Sequence, residues 1–157
     1  MNHYIRKLIS EHEHGLVQLG FLDDATKRMI ERGFSEEDFS MIKKSVEFIS
    51  KEIREHNEAE ESNLFPLLEK HLPQNGPTYV MRAEHRILWG RMDLLMNSVN
   101  LVESDKNNMA NFSKLRTNAL DIINLLSGHI NKENTILFPL AERVLNESEL
   151  KSLADLA

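Results

Sequence analysis

The sequence predicts an all-α fold: an up-down-up-down four-helix bundle followed by a short C-terminal helix. Three observations carry that expectation. Apolar residues recur at helical spacing through almost all of the 157 residues, and no segment alternates as a strand would. Only six glycines and four prolines interrupt the chain. The chain also repeats itself at an offset of 73: the run from His56 through Glu60 to Leu64-Phe65-Pro66-Leu67 is matched by His129 through Glu133 to Leu137-Phe138-Pro139-Leu140, and Glu11-His12 is matched by Glu84-His85.

The elements follow in order. A first helix runs from about Tyr4 to Glu31 and is stopped by Gly33. Ser35 caps the second, with Glu36, Glu37 and Asp38 in its first turn. That helix reaches about Leu72, where Pro73-Gln-Asn-Gly76-Pro77 makes the strongest break in the chain. A third helix spans about Thr78 to Val102, and residues 105–108 form a polar turn. A fourth runs from about Met109 to Leu145, and Asn146-Glu-Ser-Glu149 caps the terminal helix. Short links make successive helices antiparallel neighbours. The repeat halves, about 1–73 and 74–146, then become two helical hairpins related by a pseudo-twofold axis, within a single domain spanning 1–157.

Composition narrows the function. Hydrophobic residues make up 41% and charged residues 28%, with a formal net charge of −6. No Lys/Arg cluster is dense enough to follow a phosphate backbone, so nucleic acid is not an expected partner. The chain has no cysteine. Disulfides, thiolate metal sites and cysteine nucleophiles are therefore excluded. No secretory signal and no run approaching ~18 apolar residues is present, so the expectation is a soluble cytoplasmic protein without a membrane span.

The apolar stripes lead to a set of polar side chains. On the second helix Ile42, Val46, Ile49 and Ile53 are continued at the same spacing by His56, Glu60, Leu64 and Leu67. On the fourth, Leu115, Ala119, Ile122 and Leu126 are continued by His129, Glu133, Leu137 and Leu140. Ile5 and Leu8 precede His12, with Leu16 and Leu19 after it; Met81 precedes His85, with Leu88 and Met92 after it. Six metal-type side chains thus face the bundle core. His and Glu four residues apart stack about 6 Å along a helix and reach one metal centre or two adjacent ones. A lone core histidine is ordinarily structural, and a metal-free His–Glu network is the competing reading. A duplication would keep matched leucines in any case; matched His, His and Glu at the centre of each stripe point to a metal site.

Other polar residues are set aside. His14 lies off the stripe and is the main rival to His12, or its support. His3 and His71 read as solvated. Glu58 and Glu61 match Asn131 and Asn134 at the repeat offset and receive no ligand role. Glu11 and Glu84 read as solvated neighbours of the stripe, with hydrogen bonding to an imidazole as the alternative. Pro66 and Pro139 are expected to kink their helices just beyond the ligands. Phe65, Phe138, Trp89 and Met92 are the apolar residues expected to line the site. No exposed apolar stripe marks a dimer interface.

These motifs resemble the hemerythrin-like, or HHE cation-binding, family: His12 after Glu11, His56-x-x-x-Glu60 with Leu64-Phe65-Pro66, His85 after Glu84, and His129-x-x-x-Glu133 with Leu137-Phe138-Pro139. The resemblance covers all four long helices. It implies two Fe ions in an oxo- or hydroxo-bridged diiron centre. One iron would be held by His12 and His129 and the other by His56 and His85, with Glu60 and Glu133 bridging. The family's oxygen carriers have a further histidine one turn before the third-helix ligand; here that residue is Met81. Simple oxygen carriage is therefore disfavoured. Iron–sulfur repair members usually carry an added cysteine-bearing N-terminal segment, and this sequence has no cysteine.

The resulting expectation is a protein that binds O2 or NO at a diiron centre for sensing, storage or detoxification. Two other diiron functions compete with it. One is a redox enzyme, whether ferroxidase, peroxidase-like or NO-reducing, although no separate acid or base stands on the stripes. The other is a protein of iron homeostasis or iron–sulfur repair. A metal-free helical interaction module is the third class.

Overall fold

The computed structural model describes residues 1–157, which form five helices and no strand. Helix α1 is His3–Arg32, α2 covers residues 36–69, α3 is Pro77–Ser104, α4 covers residues 109–144 and α5 is Glu147–Ala154. Polar caps fix the starts. Asn2 accepts from the backbone N–H groups of Tyr4 and Ile5, Ser35 from Asp38 and Asn108 from Asn111. Asn146 and Glu149 form the reciprocal capping box expected before α5. Gly33 ends α1 at φ 84°, a conformation open to glycine and strained for other residues. Helix α2 stops at Glu69 rather than Leu72, since the residue before Pro73 is driven out of the helical region.

The expected kinks take a different form. Both long even-numbered helices stay helical through their prolines but widen into single π-turns, at Glu60–Leu64 and Glu133–Leu137. Each π-turn begins on a glutamate of the central set and ends one residue before a Phe-Pro pair. A π-turn holds an extra residue, so it advances the buried face by one position. Leu68 and Ala141 are accordingly buried where the α-helical spacing predicts Leu67 and Leu140, which are only partly covered. A third π-turn, Ile49–Ile53, has no counterpart in α4.

Helix α1 packs against both α2 and α4, and α3 packs against α4. The interior divides into two apolar clusters. One runs from Leu19, Ile42 and Leu95 to Ile122 and Ile130. The other gathers Tyr4, Ile5, Leu8, Phe65, Met81, Phe138 and Leu145, closed by Leu153 of α5. Between them lies a layer of buried polar residues. Leu16 is exposed, and Gly15 takes the buried place on α1. An apolar seam unforeseen in the sequence also faces solvent on α3: Val80, Ile87, Leu94 and Leu101, spaced by seven. The core stripe of the same helix masks it in a reading by periodicity. No helix is long and apolar enough to cross a membrane.

Candidate metal centre

The polar layer is the six-residue set. His12 comes from α1, His56 and Glu60 from α2, His85 from α3, and His129 and Glu133 from α4, and none is more than 4% exposed. Their ligand atoms form two groups, His12, His56, Glu60 and Glu133, and Glu60, His85, His129 and Glu133; within each group they lie within 4.8 Å of one another. The two carboxylates belong to both. Glu60 sets Oε2 3.3 Å from His56 Nε2 and Oε1 3.4 Å from His85 Nε2. Glu133 sets Oε1 3.0 Å from His12 Nε2 and Oε2 3.4 Å from His129 Nε2. Each glutamate therefore offers one oxygen to each half.

The imidazoles pair differently from what the family resemblance implies. His12 lies beside His56, ring centroids 4.6 Å apart, and His85 beside His129 at 4.8 Å. The pairs are thus His12–His56 and His85–His129, not His12–His129 and His56–His85. Each pair comes from one helical hairpin, because sequential antiparallel helices are neighbours across the layer.

The donor set fits a cation. The Nε2 atoms of His12 and His56 and all four carboxylate oxygens are buried without a hydrogen-bond partner. The short His12–Glu133 approach lacks hydrogen-bond alignment, so it relieves distance but not direction. Nε2 of His85 faces Nε2 of His129 at 3.2 Å, two nitrogens that need a proton or a cation between them. Buried carboxylates without compensation each cost several kcal/mol, against a whole-protein stability of ~5–15 kcal/mol. In the metal-free protein, protons answer this cost. Burial pushes the His129 imidazole down, but Glu133, then Glu60 and Glu84, hold it up at about 9. Burial likewise opposes charge on His56, and Glu60, Glu11 and Glu133 more than reverse this. Glu133 is pushed up by burial and pulled well below its ordinary value by His12, His129 and His56. Imidazole and carboxylate together suit iron, manganese or zinc.

A second ring of hydrogen bonds orients the imidazoles. Nδ1 of His56 donates to Glu11 Oε1 at 2.9 Å and Nδ1 of His129 to Glu84 Oε1 at 2.9 Å. Glu11 and Glu84 are therefore not merely solvated neighbours. Burial raises each carboxyl, and bonding to His56 and to Lys132 and His129, respectively, leaves both below the usual range. His85 donates to Glu61 Oε2 at 2.7 Å and His12 to Asn134 Oδ1 at 2.7 Å. The repeat gives Glu61 no ligand role because it falls opposite Asn134, yet that same offset marks the two residues as occupying one shared position behind a ring.

Phe138 stacks on His12 and Phe65 on His85, with centroids 5.5 and 5.8 Å apart. Met92 is buried in the larger apolar cluster. Trp89 is partly covered, packs against the same cluster and carries the Arg54 guanidinium over its ring at 4.1 Å. Met81 is buried in the smaller cluster. His3 and His14 are exposed, and His71 bonds Glu149 Oε1 at 2.8 Å. Asn57, beside His56, is buried with both amide atoms unpartnered, whereas its repeat counterpart is Ile130.

Comparison with known proteins adds two findings. The model of the hemerythrin HHE cation binding domain matches residues 3–141. The iron-sulfur cluster repair protein YtfE of Yersinia pestis (strain Pestoides F) is 31% identical over 97 residues, covering 60% of this chain and 44% of that protein. The protein of the same name from Yersinia pseudotuberculosis serotype O:1b (strain IP 31758) aligns with the same identity and coverage. The alignment thus spans less than half the length of these relatives.

Proposed function

The chain belongs to the hemerythrin HHE cation-binding domain family, and from that membership we propose that it holds two iron ions in a carboxylate-bridged centre and takes up O2 or NO there, for sensing, storage or detoxification. The observation that carries this reading is the way Glu60 and Glu133 each turn one oxygen to either imidazole pair. His12 and His56 serve one ion, His85 and His129 the other, and both glutamates serve both. Bound iron would supply redox activity and a place for a small ligand to bind. The chain supplies the rest. Nδ1 hydrogen bonds hold all four rings with Nε2 inward. Phe65 and Phe138 cover two of the rings and exclude water.

Metal content, together with optical spectra of the reduced protein before and after O2 or NO, tests the proposal. Two irons per chain and a spectral change with either gas are expected. Iron-loaded protein without a diiron absorbance and without response to both gases sinks it. Less than one metal per chain, with the helices intact, would favour the metal-free module instead.

A second reading has its own observation, the resemblance to proteins named for iron–sulfur cluster repair. In that reading the same centre serves repair of a damaged cluster in another protein. Recovery of activity by a cluster-damaged enzyme on addition of the iron-loaded chain supports it; no recovery excludes it.

A further inference from the structure

Three of the four imidazoles are backed by a carboxylate and one is not. His56, His85 and His129 turn Nδ1 to Glu11, Glu61 and Glu84. His12 turns Nδ1 to the neutral amide oxygen of Asn134. Asn134 is the residue that the offset of 73 sets against Glu61, so the position is shared and only the chemistry differs. A charged acceptor polarises an imidazole N–H more than an amide does, which strengthens the opposite nitrogen as a metal donor.

Neighbouring cations do not remove the difference. Arg82 approaches Glu61 Oε1 at 3.3 Å, but its fork is taken by Glu69, through Nε and Nη2 at 3.0 Å each. Glu61 meets Arg82 through Oε1 and turns its other oxygen, Oε2, to His85 at 2.7 Å. Lys132 bonds Glu84, which still accepts from His129 through its other oxygen. The backing of His129 is weakened in degree, while that of His12 differs in kind.

The His12–His56 side is also packed differently, and a surface cleft borders it. Gly15 stands where the repeat has Leu88, and Ile53, on the π-turn without a counterpart, closes to 3.0 Å of where a Gly15 side chain would begin. A cleft of about 350 Å³ between α1 and α2, lined by Lys7, His14, Glu52 and Ile53, reaches Glu11, the partner of His56.

We infer that the two ion positions are unequal, the His85–His129 position filling first and the His12–His56 position filling second and emptying first, because Asn134 leaves His12 the weakest donor of the four. This rests on the two-ion reading above. Asn134 is a positioning residue, acting on metal only through His12.

Anaerobic titration of the full chain with Fe(II), followed by calorimetry, tests the inference. The expected result is two steps separated by on the order of ten- to a hundredfold in affinity. Asn134→Asp should tighten the weaker step and leave the stronger one in place. Glu61→Gln, which gives His85 an amide as well, should weaken the stronger step and narrow the separation. Two Fe(II) ions binding with equal constants, or an Asn134→Asp variant that moves only the stronger step, overturn the inference. Fewer than two Fe(II) per chain in the unaltered protein sinks the two-ion reading instead, so the two failures are told apart. Circular dichroism of both variants separates a change in affinity from a loss of fold, and Glu61→Gln decides the matter should Asn134→Asp not fold.

Discussion

His56 Nδ1 donates to Glu11 Oε1 at 2.9 Å, joining α1 to α2 through one imidazole ring. The bond fixes the ring's tautomer and leaves Nε2 facing Glu60. Glu11 is 38% exposed at its side chain, so truncating it opens no core cavity. Glu11→Ala is expected to keep the helical fold and lower metal affinity by roughly ten- to a hundredfold. Competition with a chelator of known affinity measures this. An unchanged affinity would mean that packing alone orients His56.

The six-residue set makes a sharper prediction about metal content. His56→Ala and His129→Ala should each lose metal, while His14→Ala and His71→Ala should keep it. Elemental analysis after identical iron loading decides. Full retention in either of the first two variants would remove that residue from the site.

Stability of the metal-free protein should depend on pH with a definite sign. His129 has a folded pKa raised from 6.5 to about 9. Its contribution is complete below about 6.5 and is lost as the pH rises through about 9. Glu133, held well below 4.5, contributes above that value and loses its contribution as the pH falls through its lowered folded value. Thermal melts should therefore fall between about pH 6 and about pH 10 without metal. Metal displaces the His129 proton, so the loaded protein should lack that alkaline decline, and loading at neutral pH should release protons. A metal-free melting temperature that is flat across the alkaline range would contradict the assignment.

Asn57 is a removable burden in the core. Both amide atoms are buried without partners, and leaving such a group unsatisfied costs roughly 1–3 kcal/mol. Asn57→Leu keeps the branched shape and removes the polar atoms. It is expected to stabilise the metal-free protein by about that amount, or about 2–4 °C in Tm per kcal/mol. Differential scanning calorimetry reads the change. A lower Tm would show that the amide is hydrogen-bonded in solution.

Much of the architecture was legible because its causes are local. Ser35, Gly33, Asn146 and the 73–77 break act within a few residues of themselves, and the structure places helix ends beside them. The phase of the buried face beyond Glu60 and Glu133 was less legible. Counting in α-helical steps leads to Leu67 and Leu140, whereas the π-turns bury Leu68 and Ala141. Which alternative hydrogen-bond ladder a helix adopts depends on what its side chains must meet across the bundle, and that is not a local property.

The sequence by itself determined that six metal-type side chains lie on buried helical faces, since amphipathic spacing and the repeat at 73 are properties of the chain alone. Only the tertiary structure decided their partnerships. It set His12 beside His56 and His85 beside His129, split each carboxylate between the two pairs, and gave Glu61 and Asn134 their places behind the rings. The physical reason is that spacing fixes which way a side chain points from its own helix. Which atom it meets depends on how separate helices pack and on the direction of hydrogen bonds that cross between them.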